Sequence, residues 1–297
     1  MSRPRALLHV TTLLVALGFT VRELVYPRGP AAAPCAAPHV APAAAHAPAP
    51  GTVPALTTLF QLPPEIKRVV INIGSWLDPP VPTEPDMATI AIEPNLNTAY
   101  NVRQNNNNHP RVFIVTAAIS NRAGFANFFT YNVHGASSSL APMSEANKRS
   151  AALPLGGGWA RDERRETGYP PVAFVPVLTL TQLLDAIPPN VTIVGLKTDM
   201  QGFDFVAISS AGAALRRVEQ VFVEMNCHGF AYNPDAPQND YDVVWKDFMP
   251  SIGFALDARV QCPAEPAEAN GLWIRDDYKG PLPVWWLGAL TGAGRRA

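Results

Sequence analysis

Two carboxylates, a glycine and a histidine are the residues in this sequence best placed to do chemistry. Glu93 closes the apolar run TIAIE, Asp199 closes VTIVGLKTD, Gly74 directly follows RVVINI, and His228 stands three residues beyond QVFVEM. A carboxylate at a strand end can accept both ribose hydroxyls of a nucleoside, as the acid does in dinucleotide folds. A glycine just past a strand allows close backbone approach. Histidine is the usual general base near neutral pH, which makes His228 the first candidate, Asp199 the second and His134 the third. Each residue alone has a plainer use: a solvated or helix-capping acid, or a packing or surface histidine. Their common position at strand ends gives them weight together.

The runs they terminate are continuous and β-branched, the pattern of strands buried on both faces. Strands are expected at Arg68–Ile73, Thr89–Glu93, Val112–Ala117, Val191–Asp199 and Gln220–Met225. Helices are expected at Leu96–Asn106, Leu180–Ala186, Phe203–Leu215 and Tyr241–Ile252, the last stopped by Gly253. Phe254–Cys262 and Gly271–Arg275 read as a hairpin-like closing pair. Buried strands alternating with helices argue for an α/β fold: a mostly parallel, Rossmann-like sheet with helices on both faces. Such sheets bind ligands at the carboxyl ends of the strands, where the chain order reverses.

Taken in order, the strand-end motifs resemble the FkbM-type methyltransferases of the class I group. VVINIGS is similar to that family's first-strand glycine motif, IAIEPN to its second-strand motif, and TAAISNRAGFANFFTYN to its third strand and following hairpin. SSSL (Ser137–Leu140) and VPVLTLTQLL (Val175–Leu184) resemble the linker into the fourth strand, and LKTDMQGFDF followed by VFVEM is the most specific stretch. The resemblance spans about Pro63 to Arg275. It implies S-adenosyl-L-methionine as cofactor, with Asn72, Gly74, Ser75, Glu93, Pro94, Asn95, Ala118 and Asp199 around it. It also implies that Asp199 lies beside both methyl donor and methyl acceptor. The expected reaction is O-methylation of a hydroxyl on a glycan or a small polar metabolite, with a catalytically inactive binding or scaffold domain as the alternative.

The first loop departs from that family. Asn72 occupies an acidic position, Asp78 stands where a second glycine would open a helix, and Pro79, Pro80, Pro82 and Pro85 follow. Proline removes backbone donors and clashes with the preceding turn, so an ordered irregular loop is expected over Ser75 to Asp86, with Trp76 over the crevice or plugging the gap. Gln201 likewise stands where the family often carries glutamate.

Composition limits the partners. With 23 basic and 24 acidic residues the chain lacks the positive field that a nucleic-acid backbone requires. Cys35, Cys227 and Cys262 show no zinc-type spacing, so no metal is expected. A Cys227–Cys262 disulfide suits an oxidising compartment, while two buried free thiols are the commoner state and the preferred reading. Trp273, Trp285 and Trp286 could form a sugar platform, with core filling or membrane-proximal packing the plainer use.

Ahead of the domain, Arg3 and Arg5 precede the uncharged run Ala6 to Thr20, a signal peptide or signal-anchor over residues 1–26. Residues 27–62 are rich in Pro and Ala, a composition that favours extended polyproline and serves as a stalk. The expected layout is a type II Golgi or ER membrane protein with residues 63–276 in the lumen and 277–297 as a tail. A secreted form and an organelle-targeted form are the alternatives. Oligomeric state is not legible.

Overall fold

Apolar runs with no polar alternation are stable as strands only when both faces are covered. They take that form in the computed structural model, which describes residues 61–76, 79–130, 138–142, 172–230, 237–257, 262, 264 and 267–281. The apolar N-terminal run, the Pro/Ala stretch through residue 60, His134, Ser137, Trp285 and Trp286 lie outside the described residues.

The first half contains Arg68–Ile73 (β1), Met87–Ile92 (β2), Leu96–Asn105 (α1), Val112–Val115 (β3), Ala118–Ser120 (β4) and Gly124–Phe129 (β5). The second contains Val172–Thr179 (β6), Leu180–Asp185 (α2), Thr192–Thr198 (β7), Asp204–Ala211 (α3) and Gln220–Cys227 (β8). Lys246–Ser251 (α4), Phe254–Leu256 (β9) and Ala267–Arg275 (β10) complete it. Seven strands form one sheet in the order β3-β2-β1-β7-β8-β10-β9. Every pairing is parallel except those made by β10, which runs against both neighbours. The chain builds outward from β1 through β2 to β3, then returns to the other side of β1 as β7. The order therefore reverses between β1 and β7, and a crevice opens at their carboxyl ends.

β1 and β2 are buried on both faces, as their sequences require. Val69, Ile71 and Ile73 share a core with Leu180, Leu183 and Leu184 of α2 and Ala207, Ile208 and Ala211 of α3. Two cap motifs start helices at the expected places. Asn95 Oδ1 accepts from the backbone N–H groups of Asn97 and Thr98 at α1, and Thr179 with Gln182 makes a reciprocal capping box at α2.

Several elements differ from the sequence expectation. The third strand ends at Val115, and the chain re-enters as β4 in a separate three-stranded sheet ordered β4-β6-β5. β4 and β5 are not a hairpin, because β6 lies between them, parallel to β4 and antiparallel to β5. The helix expected over Phe203–Leu215 stops as α-helix at Ala211, where Gly212 turns to φ +52°, and continues as a 3-10 turn to Arg217. Tyr241–Trp245 is a π-helical turn leading into α4. The closing antiparallel pair is present, with β10 starting four residues earlier, at Ala267. Trp273 is 1% exposed and stacks on Tyr241 within the core, so it is a core residue and not a sugar platform.

Cys227 and Cys262 are joined in a disulfide, with Cα atoms 5.8 Å apart. This corrects the preferred reading of free thiols, since the bond ties the end of β8 to the segment leading into β10. Replacing both cysteines with serine opens a closure of 35 residues and is expected to cost about 2–4 kcal/mol. Calorimetric melting of the wild type and the double serine variant checks this, with the wild type melting higher.

Candidate functional site

The crevice between β1, β2 and β7 is a cleft of about 700 Å³, counting the part open to solvent. Gly74, Trp76, Glu93 and Pro94 line one side, and Asp199, Met200, Gln201 and Phe203 the other. Ala118, Ile119, Phe128, Ser138 and Leu140 close it from the smaller sheet. The chain thus brings together five of the residues expected around a cofactor: Gly74, Glu93, Pro94, Ala118 and Asp199.

Glu93 is 6% exposed. Its backbone N–H is fixed to Val115 O at 3.0 Å, extending the β2–β3 ladder by one residue. Its Oε1 accepts from the Asn95 N–H at 2.9 Å, and the Trp76 N–H also donates to the carboxylate. A carboxylate offers about four lone-pair sites, so acceptor capacity remains toward the cleft. Burial, opposed by those two amides, pushes the Glu93 carboxyl up to about 7.

Asp199 follows β7, its N–H bonded to Ile73 O at 3.1 Å. Its Oδ2 accepts from Lys197 Nζ at 3.2 Å and its Oδ1 from Gln201 Nε2 at 2.9 Å. Behind it, Asp204 is fully buried at the start of α3 and accepts from the Met200 N–H through both oxygens. Burial first, and the Asp199 charge second, push Asp204 up to about 7. Glu224 on β8 is held well above the carboxylate range by burial and then by the charges of Asp199, Glu268 and Asp204. Lys197 is the cation that offsets this group of acids.

Gly74 also serves the packing of the sheet. At φ +67°, a Cβ added to it would lie 1.9 Å from the Asp199 carbonyl oxygen. The close approach that only glycine permits is to the neighbouring strand end. The loop after it contains no regular helix among its described residues, as its prolines require. It is pinned by Thr89 Oγ1 donating to Pro80 O and by the Arg68–Asp86 ion pair at 2.6 Å. Trp76, at φ +47°, is 37% exposed against the cleft, open enough to meet a ligand.

Four expected residues stand apart from the lining. Asn72 and Ser75 are buried, and their side-chain oxygens find no partner among the described residues. Asn95 commits its side chain to the cap of α1. His228 sits beyond β8 at φ +56°, exposed, with Nδ1 3.6 Å from Asp242 Oδ2. That turn directs it toward Asp242, and among the described residues Asp199 is the expected base that lines the cleft. Sequence reasoning did not single out Asp204, and saw Gln201 only as a departure. An acid just after a strand-end glycine, as in Gly202-Phe203-Asp204, was the available signal for Asp204.

Residues 72–255, more than half the chain, match the Methyltransferase FkbM domain. The chain belongs to the FkbM methyltransferase family. No curated protein matches it. Among solved structures, the FkbM methyltransferase from Methylobacillus flagellatus KT is 11% identical with a TM-score of 0.36. The match covers 71% of this chain but 44% of that one, so the chain spans less than half its length. A precorrin-6y C5,15-methyltransferase from Geobacter metallireducens GS-15 is 14% identical with a TM-score of 0.30, covering 75% of this chain and 85% of that one. At these values the assignment rests on the family match.

The acids of the site give its stability an unusual pH dependence. Glu93 and Asp204 both have folded values near 7, above those of an unfolded chain. The folded state therefore binds protons more tightly, and their contribution is present at low pH and lost as pH rises through about 7. For Glu93 alone the loss is on the order of 3 kcal/mol. Ligand-free protein is expected to melt at a lower temperature at pH 8 than at pH 6. A melting point that rises across this window would contradict the burial of these carboxyls.

Proposed function

We propose that this FkbM methyltransferase uses S-adenosyl-L-methionine to methylate a hydroxyl oxygen of a glycan or a small polar metabolite. The observation that carries the proposal is Glu93: a buried carboxylate, aimed by two backbone amides, with acceptor capacity left at the β1/β7 switch point. That arrangement suits the two hydroxyls of a ribose. Ile119, Phe128, Leu140 and Phe203 give the cleft apolar surface for a base, and Asp199 suits a positively charged group. The residues present therefore fit this cofactor, whose sulfonium supplies an electrophilic methyl group. Asp199, whose carboxylate is held on both oxygens, is the group placed to take the proton that an acceptor hydroxyl releases.

The Cys227–Cys262 disulfide favours an oxidising compartment, which supports a domain in the lumen of the ER or Golgi behind an uncleaved N-terminal anchor. Among the described residues no helix is long and apolar enough to cross a membrane. Protease added to intact microsomes is expected to spare the domain until detergent is present, and digestion without detergent would reject this topology. A second reading, binding without catalysis, draws on the proline-rich loop that replaces the usual first helix. Transfer of label from methyl-tritiated S-adenosylmethionine to a panel of sugars and polyols separates the two. Label in product supports the enzyme; cofactor binding with no transfer to any hydroxyl supports the binding module.

A further inference from the structure

We propose that Gln201 is a positioning residue, its amide shared between Asp199 and Glu224 so that the Asp199 carboxylate is fixed at the cleft. The proposal rests on the reading of this cleft as the cofactor site. Gln201 lines the cleft, and its Nε2 donates to Asp199 Oδ1 at 2.9 Å and to Glu224 Oε2 at 3.0 Å. An amide has two hydrogens, and here both are committed to carboxylates. The flipped form would set its oxygen against the Asp199 carboxylate. That leaves the oxygen as the atom available to a ligand.

The backbone is arranged to keep the amide there. Gln201 adopts φ +54°, a conformation that a residue with a side chain takes only when its surroundings hold it. Ser139 Oγ donates to its carbonyl at 3.1 Å, tying it to the strand segment that closes the cleft. Asp199 is then gripped on one oxygen by Gln201 and on the other by Lys197. Without the amide, Asp199 and Glu224 would face each other with Lys197 as the one cation to offset them among the described residues. Among the described residues, the other charged groups around them are Asp204 from α3, Glu268 from β10 and Glu93 at the end of β2. All three are acids. In this chain the neutral donor at position 201 bonds both acids at once, and the glutamate that the family often carries there would add one more negative charge.

The test compares Gln201→Glu with wild type by titrating S-adenosylhomocysteine calorimetrically into the full chain at pH 6 and pH 8. Gln201→Glu keeps the shape and is expected to weaken binding about tenfold at pH 8 but only about twofold at pH 6, where the extra acid binds a proton. Adding Glu224→Gln to that variant restores an amide between the two positions and is expected to recover most of the loss. A folded Gln201→Glu protein with wild-type affinity at both pH values, or an equal loss at both, overturns the proposal. If the wild type binds no S-adenosylhomocysteine, the cofactor reading falls and a second measurement decides this one. Carboxyl-carbon NMR should show Glu224 titrating at higher pH in Gln201→Leu than in wild type, and an unmoved Glu224 titration rejects the clamp.

Discussion

Glu93→Ala is expected to reduce affinity for S-adenosylhomocysteine by about 30- to 1,000-fold, a loss on the order of 2–4 kcal/mol. Two charge-assisted hydrogen bonds to ribose disappear, and the Asn95 and Trp76 amides lose the acceptor that orders the rim of the cleft. Glu93→Gln keeps an acceptor for one of them and should lose less. The pH dependence gives an independent reading. Glu93, at about 7 in the ligand-free protein, must be ionised to accept ribose hydroxyls, so binding releases a proton. Wild-type affinity is then expected to rise from pH 6 to pH 8. Titrations across this range compare the slopes, and loss of Glu93 should remove its part of the rise. Unchanged affinity in a folded Glu93→Ala protein would take Glu93 out of the site.

The second large effect is expected from Gly74→Ala. The added Cβ meets a backbone carbonyl at 1.9 Å, not the far end of a flexible side chain. That carbonyl belongs to Asp199, whose N–H is bonded to Ile73 O, so neither strand end can yield without opening the ladder. Strain at φ +67° adds to the clash. Together they are expected to destabilise the domain by about 4 kcal/mol or more. Gly229→Ala is the control: its φ is +76°, but the added atom meets nothing within 4 Å, so only the strain of about 1 kcal/mol applies. Urea unfolding of the two variants checks the difference. Equal stabilities would mean that β1 and β7 do not approach as closely as described.

The parts of this fold that were legible in the sequence share one physical cause. β1, β2, β7 and β8 are central strands, mostly buried, so each appears as a run dominated by apolar and β-branched residues. Glu93 and Asp199 could be picked out because each is a lone acid at the end of such a run. The small sheet was harder. β6 contains Pro176, a poor strand signal, and it pairs with β4 and β5 from more than forty residues away. The disulfide was open for a similar reason, since a spacing of 35 residues does not reveal that two Cα atoms lie 5.8 Å apart.

The functional residues divide along the same line. His228 carried the strongest chemical signal for a base, yet the backbone turns it toward Asp242. Gln201 carried almost none, because a neutral amide becomes informative only when Glu224, from a different strand, is seen beside it. Gly74 was read as a point of close approach, and within the sheet the group it approaches is Asp199 O. Residues that act through their neighbours become visible only once the sheet order has placed those neighbours.

A crystal structure of the full chain with S-adenosylhomocysteine tests the central claim most directly. The account predicts the ribose hydroxyls on the Glu93 carboxylate, with the base against the apolar side of the cleft and the homocysteine end toward Asp199. A nucleoside bound elsewhere, or a cleft left empty at millimolar ligand, would contradict it.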